Sequence, residues 1–333
     1  MSDELRGRVV LVTGASGLMG SWLVRALLAR GAEVVVIRRE KPAVPGRREP
    51  GLSSDAAVEV VAGDVCTEGL VERALARCGA DTVFHLAAQT IVGVAREAPR
   101  RTFETNIRGT WLVLEACRRV GVERVIVASS DKAYGSQEQL PYREDQSLAP
   151  INPYDVSKAA CDLLARSYWP SFGLGVAVTR FANLYGGGDL NRSRLVPEVV
   201  GAALAGVAPV IRSDGSSERD FLYVEDAVEA YLAIWRLLGR GEGRGEAFNA
   251  GGGAPVRVRD VVTLACRLAG GPMPPTFQGA GVPAGEIDRQ WVDYSKLHAL
   301  TGWRPRIGLE EGLARTIAWY RANQRLLERA ATD

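Results

Sequence analysis

Tyr154 and Lys158 stand four residues apart in Tyr154-Asp-Val-Ser-Lys158, a spacing that puts both on one face of a helix. A phenol acts as a base near neutral pH only if its anion is stabilised, and a lysine one turn away, with a cationic nicotinamide, would supply that charge. Ser129 and Ser130 close a Val-rich run upstream, and a serine hydroxyl there can bond the same substrate oxygen. A Tyr-x-x-x-Lys pair alone reads as a solvated helix face. This serine pair and the glycine loop near the start of the chain turn the reading toward proton transfer.

That loop, Gly14-Ala-Ser-Gly17-Leu-Met-Gly20, follows an apolar run at 8–12 and opens a helical stretch at 18–30. Glycines so placed permit a tight turn and close backbone approach to a pyrophosphate at the helix N-terminus. Their spacing, G-x-x-G-x-x-G, differs by one residue from the dinucleotide fingerprint G-x-G-x-x-G. Trp22, Leu23, Ala26 and Leu27 share one face of the helix, and Gly31 stops it. Further apolar runs predict strands at 33–37, 58–62, 82–86, 124–128 and 175–179, apolar on consecutive residues as strands buried on both faces are. Strands alternating with helices predict a Rossmann-like α/β fold, a doubly wound parallel sheet. After Arg180 the chain is punctuated by Gly and Pro, with helices expected at 195–204, 225–238, 258–269 and 309–324. This predicts a dinucleotide-binding Rossmann domain from 1–183 with 220–248, and a smaller α+β domain from 184–219 with 249–333. The Pro-, Gly- and Arg-rich stretch at 41–55 reads as a surface loop, and 239–245 as a short connection.

The carboxyl ends of such strands are where an open sheet binds ligands. Arg38 and Arg39 stand where an acid would accept from an NAD ribose; they can pair with the 2′-phosphate of NADP or be surface arginines. Asp64, in Gly63-Asp64-Val65, can accept from an adenine amino group or cap the next helix. His85, in His85-Leu86-Ala87-Ala88, reads as a packed residue rather than a catalyst.

With 41 Lys plus Arg against 39 Asp plus Glu, the net charge of +2 leaves no field for gripping nucleic acid. No apolar run approaches the roughly 20 residues of a membrane span. The polar start Met1-Ser2-Asp3-Glu4 lacks the layout of a secretory signal, so a cytoplasmic protein is expected. Five scattered cysteines and two histidines predict free thiols and no metal site.

Together these motifs resemble the extended short-chain dehydrogenase/reductases, the nucleotide-sugar epimerases and dehydratases. The resemblance runs through Gly14-x-x-Gly17-x-x-Gly20, His85-Leu-Ala-Ala88, Asn106, Ser129/Ser130, Tyr154-x-x-x-Lys158, Arg180-Phe-Ala-Asn183-Leu-Tyr-Gly186, Arg219-Asp-Phe-Leu-Tyr-Val-Glu-Asp226 and Gly302-Trp-Arg-Pro305. It implies an NAD or NADP cofactor, retained and recycled, held by Gly14, Ser16, Gly17, Leu18, Met19, Gly20, Arg38, Arg39, Asp64, Val65, Leu86, Ala87, Ala88, Asn106 and Ser129. It implies a nucleotide-sugar held by Gln89, Asn183, Arg194, Val196, Arg219 and Arg289, the arginines being suited to phosphate or to inter-domain ion pairs. A homodimer is implied through helices at 100–120 and 154–169.

Within that family, Ser130-Asp131-Lys132 resembles the Thr-Asp-Glu or Thr-Asp-Lys of hexose 4,6-dehydratases. The longer phrase Ser129-Ser-Asp-Lys-Ala-Tyr-Gly135 is most similar to CDP-glucose 4,6-dehydratases, whereas 219–226 looks like dTDP-glucose dehydratases and UDP-sugar epimerases. Elimination needs an acid for the C6 hydroxyl and a base for the C5 proton, roles that fall to Asp131 and Lys132. They require Asp131 raised or Lys132 lowered in pKa; otherwise the two form a loop ion pair. The expected reaction is C4 oxidation by Tyr154 and the nicotinamide, water loss across C5–C6, and return of the hydride to C6. The alternatives are a UDP-sugar 4-epimerase and an inactive NAD(P)-sensing binding protein.

Overall fold

The computed structural model describes residues 4–39, 58–282 and 286–326. The stretch at 41–55 lies outside them. The first half lays down β1 (Val9–Thr13), α1 (Leu18–Leu28), β2 (Glu33–Arg38), β3 (Val58–Ala62), α2 (Leu70–Cys78), β4 (Thr82–His85), α3 (Val92–Glu97) and α4 (Pro99–Phe103). A π-helical turn, Glu104–Arg108, leads into α5 (Gly109–Val120), followed by β5 (Arg124–Ala128), a 3₁₀ turn at Asp131–Tyr134, α6 (Pro153–Phe172) and β6 (Val176–Phe181). The remainder comprises β7 (Asn183–Tyr185), α7 (Leu195–Leu204), β8 (Val210–Ile211), β9 (Glu218–Arg219), β10 (Phe221–Tyr223), α8 (Val224–Gly239), β11 (Glu246–Ala250), β12 (Val256–Arg257), α9 (Val258–Ala269), β13 (Thr276–Phe277), β14 (Arg289–Gln290), α10 (Ser295–Thr301) and α11 (Leu309–Ala322).

Seven parallel strands form the central sheet in the order β11-β6-β5-β4-β1-β2-β3. Because side chains alternate across a strand, Val10, Val12, Val34 and Val36 join α1 and α8 in one core, while Leu11, Val35 and Val83 join α2, α5 and α6 in the other. That is the doubly wound arrangement expected. One strand departs from the reading: β3 is half exposed, with Val60 44% accessible, because among the described residues it is an edge that pairs only with β2. Another was not foreseen: β11 rejoins the sheet beside β6 and runs past the boundary expected at 248.

Helix α6 shows how local sequence places a reactive group. Pro153 sits in its first turn, where a missing N–H costs nothing, and Gly173, at φ 72°, ends it. Tyr154 is thereby held at the N-terminal end of the helix, beside the carboxyl edge of β5. Beyond the main sheet, α7, α9 and α11 pack together, and β12, in a small sheet with β9 and β14, leads into α9. Two buried aspartates stitch this part to the main sheet. Asp226 Oδ2 accepts the Arg306 and Ile307 N–H groups (3.0 and 2.9 Å), and Trp303 Nε1 donates to Asp226 O, which gives Gly302-Trp-Arg-Pro305 a docking role. Asp220 Oδ1 accepts from Gly252 N and its Oδ2 from Val292 N, and burial pushes this carboxyl up to about 7. Among the described residues no helix is long and apolar enough to cross a membrane, and no group of His, Cys, Asp and Glu could hold a metal ion.

Candidate active site

A cavity of about 890 Å³ opens along the carboxyl ends of the sheet, bounded on its far side by residues from 181–197, Arg212, Arg219 and Glu286. At one end lies the β1–α1 turn. Gly14 takes φ 72°, and a Cβ on it would stand 2.6 Å from Ala87 N; a Cβ on Gly20 would stand 2.2 Å from Gly14 O. These two glycines therefore let the backbone pack on itself. Gly17 differs: a Cβ there would meet only Gly14 O, at 3.4 Å, and the residue lines the cavity. Helix α1 starts beyond it with no side-chain cap and no acid in its first turn. Its free N–H groups and dipole are thus left to an anion from the cavity, and an open cradle of this kind fits a dinucleotide pyrophosphate.

The other expected cofactor positions divide. Ser16, Leu18, Met19, Arg38, Arg39, Asp64, Val65, Leu86, Ala87, Ala88 and Ser129 line the cavity, Arg38 and Arg39 being exposed. Asp64 Oδ1 accepts from Cys66 N (2.9 Å), so this carboxylate caps a turn while facing the cavity. Asn106 does not line it. From the π-helical turn it donates to Gln89 O (3.0 Å) and Ser157 Oγ (2.8 Å) and accepts from Gln89 N (2.7 Å), which pins the loop after β4 to α6. Gln89 is likewise spent locally, on Ile91 and Thr102, and is not at the cavity wall. His85 is a brace: Thr110 Oγ1 spends its proton on Asn106 O, so Nε2 carries the ring proton toward Thr110 and Nδ1 accepts from Thr13. Burial pushes its pKa down to about 3 and keeps it neutral.

At the other end the proton-handling groups converge. Lys158 Nζ donates to Ala128 O (2.8 Å) and Ser129 Oγ donates to Lys158 O (2.9 Å), locking α6 to the end of β5. Burial raises the Tyr154 phenol strongly, as it lowers Lys158. The counter-charge favouring the phenolate is foremost Arg194, whereas Asp131 and Asp155 oppose it. The Lys158 ammonium is engaged with Ala128 O, and Arg194 reaches the same cavity from beyond β7. Arg194 is itself fixed, donating to Asp189 Oδ2 (2.9 Å) and to Thr90 Oγ1 (2.8 Å) across the cavity. Asp131 is 2% exposed; Ser130 Oγ donates to its Oδ1 (3.0 Å), and Oδ2 is buried with no partner. Burial raises this carboxyl, as an acid requires, against the opposing pull of Lys132, Ser130 and Arg219. Lys132 is half-buried on the same wall, and no ion pair joins it to Asp131 among the described contacts.

Of the substrate positions, Asn183, Arg194, Val196 and Arg219 line the cavity. Arg289 does not: it is exposed, paired with Glu218 (2.9 Å) and stacked on Trp291, because β14 pairs beside β9 and aims it outward. Sequence reasoning missed Arg212, Asp155 and Thr90, which also line the cavity. Asp155 lies within the Tyr154–Lys158 window and could have been suspected; nothing in the spacing marks Arg212.

A model of the NAD dependent epimerase/dehydratase family matches residues 10–251. The chain is 34% identical over 335 residues to a dTDP-glucose 4,6-dehydratase of an Actinoplanes species, covering 95% of this chain and 98% of that one. To a CDP-glucose 4,6-dehydratase of Salmonella typhimurium it is 31% identical over 331 residues, covering 95% and 91%. The solved UDP-glucose 4-epimerase of Thermotoga maritima, in complex with UDP-glucose, matches the fold with a TM-score of 0.86 at 29% identity, covering 95% of this chain and 99% of that one.

Proposed function

The chain belongs to the NAD dependent epimerase/dehydratase family, and on that premise we propose that it is a nucleoside-diphosphate-hexose 4,6-dehydratase with a CDP-glucose-like substrate. The observation that carries this reading is Asp131-Lys132 directly after Ser130 on the cavity wall, with Asp131 buried, raised in pKa and holding one oxygen unpartnered. A 4-epimerase has no leaving group to protonate and no use for such an acid.

In this reading Tyr154 takes the C4 hydroxyl proton, its anion favoured by Arg194. A dinucleotide held at the Gly14–Gly20 turn would supply the hydride acceptor for C4 and the hydride donor for C6, with no net oxidation. Asp131 protonates the departing C6 hydroxyl, and Lys132 removes and returns the C5 proton, made acidic by the C4 ketone. Arg219 and Asn183 hold the diphosphate end, with residues 184–219 and 249–333 supplying the sugar-nucleotide side and 1–183 with 220–248 the dinucleotide side. NAD is the cofactor we assign, and Arg38 and Arg39, exposed at the end of β2 where they line the cavity, would let NADP bind as well.

We also place the enzyme in the cytoplasm, since all five cysteines are unpaired. A homodimer is proposed through α5 and α6, where Trp111 (42% exposed), Leu163 (59%) and Phe172 (56%) form an uncovered apolar face. Light scattering that gives one chain per particle at micromolar concentration would reject the dimer.

The function is tested by incubating the protein with CDP-, dTDP-, UDP-, GDP- and ADP-hexoses and reading products by mass and proton NMR. Loss of one water with C6 converted to a methyl supports the dehydratase and names its nucleotide. Unchanged mass with an inverted C4 centre establishes the epimerase instead.

A further inference from the structure

Resting on the dehydratase reading, the two halves of the chemistry sit on two elements. Tyr154 and Lys158, which serve C4, belong to α6, whereas Asp131 and Lys132, which remove water, belong to the 3₁₀ turn Asp131–Tyr134. One sugar ring must meet both sets, so their relative placement is a condition of turnover. The near end of the turn is tied to α6 by Ser129, whose Oγ donates to Lys158 O (2.9 Å). A single 3₁₀ turn is a weak structure by itself, and one anchor would leave it free to swing about 129–130.

We propose that Arg180 is the second anchor, a positioning residue that grips α6 with one edge of its guanidinium and the far end of the turn with the other. Arg180 comes from β6 and is 1% exposed. Its Nε and Nη2 donate to Asp162 Oδ2 and Oδ1 (2.7 and 2.9 Å), and Asp162 stands one helical turn beyond Lys158 on α6. Its Nη1 donates to Tyr134 Oη (2.9 Å), the hydroxyl of the last residue of the turn, and also reaches Glu144 O (3.3 Å). Tyr134 in turn donates to Asn249 Oδ1 (2.8 Å), because the Asn249 amide nitrogen is engaged with Tyr142 O (2.9 Å). The Tyr134 hydroxyl therefore offers Arg180 a lone pair, and every group along the path has one donor sense.

Stability alone does not explain the arrangement. Asp162 already neutralises the guanidinium through two bonds, and a buried ion pair is often no more stabilising than apolar side chains of the same volume. The bond to Tyr134 adds reach, not charge balance, and it needs the planar fork of an arginine to serve both partners at once. The other bonds at the far end, Tyr142 Oη to Gly135 O (2.6 Å) and Ala149 N to Tyr134 O (3.2 Å), come from the segment that follows the turn. Among the described residues no hydrogen bond runs directly from 131–134 to α6, so the bonded path from the far end of the turn to that helix passes through Arg180.

The test uses Tyr134→Phe, which keeps the buried ring and removes only the hydroxyl, and Arg180→Lys, which keeps the charge opposite Asp162 and loses the fork. Each is loaded with NAD and mixed with CDP-, dTDP- or UDP-glucose, whichever wild type dehydrates, and nicotinamide reduction and product formation are followed separately. In both variants reduction should stay within about twofold of wild type while product formation falls about 10- to 100-fold, the cost of a displacement near 1 Å, so reduced nicotinamide builds up. A loss that is equal in the two steps would mean that Tyr134 and Arg180 support only the fold, and no loss in either would mean that the turn needs no second anchor; both overturn the proposal. A second readout needs no turnover and no Arg180 variant. Amide hydrogen exchange at 131–135 should quicken about tenfold or more in Tyr134→Phe while α6 stays protected, and exchange unchanged in the turn overturns the proposal. Wild type that removes water from none of these hexoses defeats the dehydratase reading itself, and the exchange result then still decides whether Arg180 ties the turn to α6.

Discussion

Gly17 and Gly20 sit one helical turn apart in the same loop, yet the structure gives a methyl group different consequences at each. At Gly17 the backbone is extended (φ −77°, ψ 171°) and a Cβ would meet only Gly14 O, at 3.4 Å, while protruding into the cavity. Gly17→Ala loses a weak N-cap, worth up to about 1 kcal/mol, and regains about 0.4–1 kcal/mol through a less flexible unfolded chain. The net change should stay within about 1 kcal/mol, a shift of melting temperature of less than about 4 °C. The methyl would hold a pyrophosphate off the first-turn N–H groups. Losing one charge-assisted bond of about 1.5–3 kcal/mol weakens dinucleotide binding roughly 10- to 100-fold. At Gly20 a Cβ 2.2 Å from a backbone oxygen cannot be relieved by a side-chain rotation. Gly20→Ala should lose about 3 kcal/mol or more, or fail to yield soluble protein. Differential scanning calorimetry and dinucleotide titration of the two variants decide the matter. Gly17→Ala that keeps wild-type affinity and dinucleotide content would refute the assignment of this helix end to the pyrophosphate.

Three further outcomes are expected. Asp131→Asn, nearly isosteric, should lower turnover about 10²- to 10⁴-fold and let reduced nicotinamide build up on the enzyme, visible by its absorbance; no accumulation would argue against Asp131 as the acid. Arg38→Ala with Arg39→Ala should weaken NADP about tenfold while leaving NAD within about twofold, because exposed charge pairs contribute roughly 1 kcal/mol; competition binding reads the ratio, and equal losses would place the adenosine elsewhere. His85 is held neutral, with a folded pKa of about 3 below the unfolded value of 6.5. Its contribution is complete above pH 6.5 and is lost as pH falls from there toward 3, since the unfolded chain takes up the proton first. Urea unfolding of wild type and His85→Gln across that window should show wild type losing up to about 1.4 kcal/mol more per pH unit. Parallel curves would mean that the ring is protonated in the fold.

The legible part of the site is local. Tyr154 and Lys158 fall on one face of α6 because a helix repeats every few residues, and Ser129-Ser130 end β5 because the Val-rich run ends there. What each charged group faces was less legible, since spacing does not report distance in space. Arg194 and Arg289 look alike in the sequence; one crosses the cavity to Thr90, and the other is turned outward by the pairing of its strand to β9. Asn106 and Gln89 carry the marks of binding residues, but their amides are consumed in fastening the loop after β4 to its neighbours.

Hydrophobic periodicity and glycine placement determined by themselves the parallel sheet, its alternation with helices and the loop that opens α1, because those features depend on the nearest few residues. Which strand lies at an edge is settled by neighbours far away in the chain, so the Val-rich β3 could not announce its exposure and the mixed residues of β11 could not announce a strand. The chemistry divides in the same way. The order Ser130-Asp131-Lys132 supplies an acid, a base and a hydroxyl, whereas the burial that raises Asp131 and the Arg194 charge that acts on Tyr154 arise only in the folded chain, since desolvation and Coulomb fields depend on what surrounds a group in three dimensions.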